Sequence, residues 1–143
     1  AEALQMVVAD SSIAEVVLRG SGDDFCAGGD LAEFGSSADP ATAHGVRSTR
    51  NVAALLDACS ARVRVEVQGA CVGAGIELPA FASKVSARRD AFFQLPEVSM
   101  GLVPGAGGTV SIPRRIGRQR TALMALTGMR VDAATARDWG LVD

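Results

Sequence analysis

The chain has 143 residues, of which 48% are hydrophobic, and its 14 basic and 16 acidic side chains leave a net charge of −2. This length and composition fit one soluble globular domain, so residues 1–143 are taken as a single unit. The small net charge argues against nucleic acid as a partner, and no apolar run reaches the roughly 18 residues that a membrane span requires.

The cysteines and the histidine do not form a pattern typical of a metal site. Cys26, Cys59 and Cys71 lack the spacing of metal ligands, and His44 is the single histidine of the sequence. We therefore expect no metal. The cysteines are expected to be reduced packing residues rather than nucleophiles, which suits a cytoplasmic protein.

The first half of the chain predicts alternating helices and strands. The run from Ile13 to Arg19 is nearly all apolar towards its end, which is typical of a strand buried on both faces. Asp30 and Asp39 are placed to cap the helical turns that follow them. The predicted elements are a helix over residues 2–9, a strand over 13–19, a turn over 20–24, a helical turn ending at 34 and a helix over 41–60.

The second half continues this alternation, which predicts α/β layers. Val63, Val65 and Val67 alternate with polar residues, as in a strand with one polar face. Pro79 falls within a helix predicted over residues 73–81 and should distort it. The other predicted elements are strands at 85 and 91–94, helices over 107–116, 118–126 and 133–139, and the start of a strand at 141–143.

Two glutamates, Glu77 and Glu97, lie near glycine-rich segments and are candidates for acid–base chemistry. A turn that leads from a strand into a helix, such as residues 73–75, presents free N–H groups. A second loop with Gly28 and Gly29 could add another donor, and two converging N–H groups would form an oxyanion hole. By its type alone Glu77 is more often a solvated surface residue, whereas Glu97 follows Pro96 among apolar residues and is expected to be partly buried.

Nucleotide binding is the alternative that the glycines and arginines suggest. The glycines of residues 69–75 are spaced G-x-x-x-G-x-G, which differs from the G-x-G-x-x-G of dinucleotide-binding folds. The arginines at positions 114, 115, 118 and 120 could meet phosphates, but a solvated helix face is the favoured interpretation. Nucleotide binding is therefore disfavoured.

Taken together, three segments resemble the crotonase superfamily, the family of enoyl-CoA hydratases and isomerases. These segments are residues 25–31 (FCAGGDL), 68–78 (QGACVGAGIEL) and 95–109 (LPEVSMGLVPGAGGT), and residues 114–142 resemble it as well. The resemblance implies an α/β crotonase-type spiral of stacked β-β-α turns. It also implies that this chain is the central portion, without the family's amino-terminal strands and carboxy-terminal helices, and that Pro79 departs from common family usage.

The resemblance implies the function and the site residues too. It implies hydration of a trans-2-enoyl-CoA thioester, with isomerase or other acyl-CoA chemistry, or a non-catalytic acyl-CoA-binding module, as alternatives. Coenzyme A would be part of the substrate, no separate cofactor is implied, and a full-length protein would form a homo-oligomer, a trimer or a dimer of trimers. The implied residues are Glu77 and Glu97 as the two acids, with Glu97 the proton donor, the N–H groups of Gly29 and Ala74 as the oxyanion hole, and Ala27, Gly28, Asp30 and Leu31 along the coenzyme A pocket.

Overall fold

The computed structural model describes residues 1–33, 39–49 and 51–143. Helices and strands alternate along the chain, as the sequence predicts. The helices are α1 (Glu2–Ala9), α2 (Pro40–Thr49), α3 (Val52–Cys59), α4 (Ala74–Glu77), α5 (Gly108–Thr127) and α6 (Ala133–Trp139). The strands are β1 (Val16–Arg19), β2 (Val63–Val67), β3 (Ala70–Val72), β4 (Lys84–Ala87), β5 (Phe92–Gln94) and β6 (Val131–Asp132), and short 3-10 segments cover Leu31–Glu33, Ser60–Arg62, Pro79–Phe81 and Glu97–Met100.

One parallel sheet has the strand order β1-β2-β4. Its inner face packs into the hydrophobic core, with Val63, Val65 and Val67 all buried, while the intervening residues of β2 face solvent. This confirms the polar face predicted for β2. The prediction that β1 is covered on both faces is wrong, because Val17 is 39% exposed. In a sheet with one solvated face, alternate residues of every strand must point to that side.

A second sheet has the order β3-β5-β6, with β6 antiparallel to β5. Strand β3 lies inside the glycine-rich segment of residues 69–75. Gly69 and Gly73 flank this strand, and both have positive φ. The chain therefore bends sharply at each glycine, and the three-residue strand connects the two bends. Phe93 and Leu95 are fully buried and join this sheet to the core around Ile112 and Met124.

The long helix predicted over residues 41–60 is divided in two. Asn51 is the N-cap of α3, and its Oδ1 accepts a hydrogen bond of 3.0 Å from the Ala54 N–H. An asparagine that caps a new helix has a non-helical backbone, so the first helix cannot continue through it. Asp39 caps α2 as predicted, through the N–H groups of Ala41 and Thr42.

The carboxy-terminal third largely follows the prediction. Gly117, with φ 77° and ψ 165°, interrupts α5 at the predicted break. Asp132 caps α6, and Gly140 ends it. The strand predicted at residues 141–143 is absent from the described structure, where Asp143 exchanges a pair of hydrogen bonds with Val85 and forms an ion pair with Arg115. In the described residues, no helix is both long and apolar enough to span a membrane.

Candidate active site

The candidate site is a cleft of about 300 Å³ between the glycine loops and the 3-10 segment Glu97–Met100. It is lined by Ala27, Gly28, Gly29, Leu31, Val72, Gly73, Gln94, Pro96, Glu97 and Met100. A second depression, of about 360 Å³, lies at the solvent-facing side of the β1-β2-β4 sheet. Its charged residues form exposed ion pairs, Arg19 with Glu66 and Arg88 with Asp90, so their charges are already neutralised.

Main-chain hydrogen bonds hold the first glycine loop beside the second sheet. The Cys26 N–H donates to Ala70 O at 3.0 Å, and the Val72 N–H donates to Cys26 O at 2.9 Å. Cys26 thus forms a parallel bridge with Cys71 and adds one residue to the sheet beside β3. A Cβ at Gly75 would clash with the Cys26 carbonyl, so the close approach of the loop requires glycine there.

The predicted N–H donors lie on the two segments that this pairing brings together. Gly29 lines the cleft, and Ala74 follows Gly73, which lines it as well. Gly73 has φ 53° and ψ −119°, a conformation that favours glycine. In the described part of the chain, neither the Gly29 N–H nor the Ala74 N–H donates to a protein acceptor. Both groups therefore remain available to a ligand, and their role as an oxyanion hole stays a prediction.

Glu77 is buried, with a relative exposure of 2%. Its Oε2 accepts two hydrogen bonds of 2.8 Å, from the N–H groups of Ala106 and Gly108. The interpretation of Glu77 as a solvated surface residue is therefore wrong. Burial is the main cause that raises the pKa of Glu77, and the nearby Glu97 charge raises it further, while the hydrogen bonds from Gly108 and Ala106 oppose the shift.

Glu97 differs from Glu77 in its hydrogen bonding. Its Oε2 is buried and has no hydrogen-bond partner among the described residues. Its Oε1 lies against Gly73, where a Cβ would come within 2.5 Å of it. Burial raises the pKa of Glu97, as the sequence context of Pro96 and apolar neighbours predicts.

The two carboxyl groups therefore suit different tasks. Two N–H donors stabilise the ionised form of Glu77, whereas Glu97 has no partner for Oε2 and is more easily kept protonated. The charge of Glu97 raises the pKa of Glu77, which indicates that the two carboxyl groups lie near one another. One acid and one base in the same site can move a proton to one atom and remove it from another.

The residues predicted for the coenzyme A pocket are only partly in the cleft. Ala27, Gly28 and Leu31 line it, but Asp30 does not, and its Oδ1 instead accepts a 2.9 Å hydrogen bond from the Ala32 N–H. Gln94 also lines the cleft, although no motif of the sequence points to it. The signal for Gln94 was its strand register, because it pairs with Val72 and residues paired in a sheet share a face.

The structure also shows the surroundings of the cysteine and arginine side chains that the sequence singles out. Cys71 is fully buried, and burial raises the pKa of its thiol to about 12, so it stays a neutral packing residue. No cluster of metal-ligating side chains occurs within residues 1–33, 39–49 and 51–143. The interpretation of the arginine run as a solvated face is wrong for Arg115, which donates to the carbonyls of Ala80 and Ala82 from a side chain only 12% exposed.

Comparisons with known proteins agree on one family. Residues 1–143 match the family model described as enoyl-CoA hydratase/isomerase. The Bacillus subtilis (strain 168) protein YngF is 37% identical over 145 residues, which cover 98% of this chain and 56% of that protein. The 2,3-dehydroadipyl-CoA hydratase of Escherichia coli (strain K12) is 35% identical over 139 residues, covering 97% of this chain and 54% of that protein.

The fold is similar to that of solved enzymes as well. The crystal structure of enoyl-CoA hydratase from Thermoplasma volcanium GSS1 matches with a TM-score of 0.87 and 32% identity, covering 99% of this chain and 57% of that one. The Bacillus anthracis enoyl-CoA hydratase matches with a TM-score of 0.86 and 31% identity, covering 99% of this chain and 55% of that one. The chain thus spans about half the length of the relatives it matches.

Proposed function

Since this chain belongs to the enoyl-CoA hydratase/isomerase family and has the predicted crotonase-type α/β fold, we propose that it carries the active site of a hydratase that adds water to a trans-2-enoyl-CoA thioester. One observation carries the proposal. The half-buried Glu97 lines a cleft between two glycine loops, and its charge raises the pKa of the buried Glu77, which is hydrogen-bonded where Glu97 Oε2, among the described residues, is not.

The N–H groups of Gly29 and Ala74 would bind the thioester oxygen. Addition of water to the β-carbon puts negative charge on this oxygen as the enolate forms, so donors aimed at it stabilise the transition state more than the ground state. Each such donor typically contributes about 2.7–4 kcal/mol. This role is supported because neither N–H group donates to a protein acceptor among the described residues.

The two glutamates would handle the protons of one water molecule. Glu77, ionised and held by Ala106 and Gly108, orients the water and takes a proton as the water oxygen bonds to the β-carbon. Glu97 delivers a proton to the α-carbon, and transfer of the proton from Glu77 to Glu97 restores both groups. The product is a 3-hydroxyacyl-CoA with the elements of one water added across the double bond.

The remaining assignments follow the same family membership. Ala27, Gly28 and Leu31 would contact the coenzyme A part of the substrate, and Asp30 would lie beside it. We infer no separate cofactor, a cytoplasmic location, and a homo-oligomer, a trimer or a dimer of trimers, for a full-length protein. Sedimentation equilibrium of the full-length polypeptide tests the last inference, and a monomer would contradict it.

An isomerase needs to move one proton between two carbons, which a single acid–base group can do. A second carboxyl group, Glu77, close enough for the charge of Glu97 to raise its pKa, therefore favours hydration. The test adds the full-length polypeptide to a short trans-2-enoyl-CoA and follows the loss of the conjugated thioester absorbance. A parallel sample with a 3-enoyl-CoA measures the gain of the same absorbance. Turnover of the 3-enoyl-CoA alone would establish the isomerase, and coenzyme A binding without turnover of either would establish a non-catalytic binding module.

A further inference from the structure

Helix α4 is interrupted immediately after the candidate base. Pro79 lacks the N–H that would donate to Gly75 O in a continued α-helix. The chain tightens instead into the 3-10 segment Pro79–Phe81, in which the Phe81 N–H donates to Leu78 O at 3.2 Å. In an α-helix that N–H would donate to Glu77 O, four residues back. The Glu77 carbonyl is therefore left without a main-chain donor in the described part of the chain.

Ser111 supplies the missing donor from a different helix. Its Oγ donates to Glu77 O at 2.6 Å, and its side chain has no exposed surface. Arg115 lies four residues later, on the same face of α5, and donates to Ala80 O and Ala82 O. Helix α5 thus provides side-chain donors to three carbonyls, those of Glu77, Ala80 and Ala82, on both sides of the proline.

The same helix also holds the carboxyl group of Glu77. The Gly108 N–H, at the start of α5, donates to Glu77 Oε2, and Ser111 follows one turn later. A residue fixed at both its carbonyl and its carboxylate by one rigid helix cannot shift without breaking two short hydrogen bonds. We propose that Ser111 is a positioning residue for Glu77: the Ser111 hydroxyl replaces the Phe81 N–H, which the break at Pro79 diverts to Leu78 O, and so fixes the place from which Glu77 acts on water.

This inference rests on the proposed hydratase function for its catalytic consequence, but the positioning itself can be measured without turnover. The test uses Ser111→Ala in the full-length polypeptide, with Ser83→Ala as the matched control. Ser83 Oγ also donates to a backbone carbonyl, Val63 O at 2.8 Å, away from the cleft. Both changes remove one hydroxyl-to-carbonyl hydrogen bond.

We expect Ser111→Ala to lower kcat about 10- to 100-fold with KM changed less than about threefold, because a misplaced catalytic group slows the chemical step more than binding. Ser111→Thr, which keeps the hydroxyl, should recover most of the rate. Ser83→Ala should lower the melting temperature without changing kcat. Equal kcat values in the two alanine variants would show that Ser111 has only a structural role, which would overturn the proposal.

Pro79→Ala provides a sharper test of the cause. Without the proline, helix α4 can continue and the Phe81 N–H can donate to Glu77 O, so the loss caused by Ser111→Ala should shrink to about threefold in the Pro79→Ala background. An undiminished loss in the double variant would contradict the role assigned to Pro79.

A ¹³C-carboxyl NMR titration distinguishes failure of this inference from failure of the hydratase proposal. Loss of Ser111 should weaken the N–H bonds to the Glu77 carboxylate and raise its titration midpoint by at least about half a pH unit. An unchanged midpoint overturns the positioning role even if the enzyme is active. A shifted midpoint supports it even if the wild-type protein does not hydrate enoyl-CoA.

Discussion

The cleft and the solvent-facing side of the β1-β2-β4 sheet both carry glutamates, but in opposite surroundings. Glu66, on the sheet, forms two hydrogen bonds of 2.7 and 2.9 Å with the guanidinium of Arg19, and these lower its pKa. Glu97, in the cleft, has a buried oxygen without a partner in the described residues, and burial raises its pKa. The same side chain is thus kept ionised in one region and made ready to hold a proton in the other.

The comparison also separates what stabilises the fold from what performs chemistry. An exposed ion pair such as Arg19–Glu66 contributes little to stability and can be lost at little cost. A half-buried carboxyl group with one buried, unpartnered oxygen, such as that of Glu97 in the described structure, opposes folding at neutral pH, because the charged form is poorly solvated. A group that costs stability and persists in a cleft is a reasonable candidate for function.

The largest expected effect is on catalysis by Glu97. We expect Glu97→Gln to lower turnover of a trans-2-enoyl-CoA by at least about 100-fold, because the amide cannot donate the proton, with coenzyme A binding nearly unchanged. Steady-state rates and coenzyme A titrations measure the two quantities. Glu66→Gln is the control and should keep wild-type turnover. Similar rates in the two variants would show that burial and lack of a partner do not mark the proton donor.

A smaller effect on turnover is expected when Gly73, which contacts the Glu97 carboxyl group, is changed. In Gly73→Ala the new Cβ would lie 2.5 Å from Glu97 Oε1, and the positive φ of 53° would strain an alanine. We expect turnover to fall about 30-fold through displacement of the carboxyl group. The matched change is Gly22→Ala, at a position where a Cβ meets nothing within 4 Å, and it should have no effect. Normal activity of Gly73→Ala would mean that the position of Glu97 is not critical.

The smallest effects are on stability, and they should have opposite signs. The pKa of Glu97 is raised on folding, so the folded state holds the proton more tightly, and this stabilisation is present in acid and lost as pH rises through the raised pKa. At pH 7 Glu97→Gln should therefore raise the melting temperature by about 1–3 °C, and the gain should vanish below about pH 4.

The pKa of Glu66 is lowered, so its contribution is present above the ordinary glutamate pKa and lost as pH falls. Glu66→Gln should lower the melting temperature at pH 7 by about 1 °C or less, with no difference in acid. Thermal unfolding of both variants from pH 3 to about 8 tests the pair. Shifts of the same sign at pH 7 would break the contrast between the two regions.

The features that the sequence predicts well depend on local chemistry. Gly73 and Gly117 occupy backbone conformations that favour glycine, so their positions in the sequence indicate turns directly. Asp132 and Gly140 bracket α6 for equally local reasons. The resemblance adds that Glu77 and Glu97 act as a pair, which their spacing in the sequence does not indicate.

The features that were missed depend on contacts between distant segments. Ser111 lies 34 residues from Glu77 along the chain, and Arg115 lies 35 residues from Ala80. Each looks like an ordinary polar residue on a helix, and only the packing of α5 against the interrupted α4 gives it a buried partner. The one-sided exposure of β1 was missed for the same reason, since it depends on what covers the sheet.

The pairing of Cys26 with β3 has a consequence for how such a site can diversify. At Cys26 the loop is held by N–H and carbonyl groups, which every residue except proline supplies in full, so this pairing does not depend on the side chain of the loop residue. Ala27 and Leu31 can therefore be exchanged to reshape the cleft while the neighbouring Gly29 keeps its place. In this short loop, main-chain atoms hold the Gly29 N–H in place, while side chains form the surface that would contact the substrate. Substitutions can therefore change substrate selectivity without displacing the N–H group.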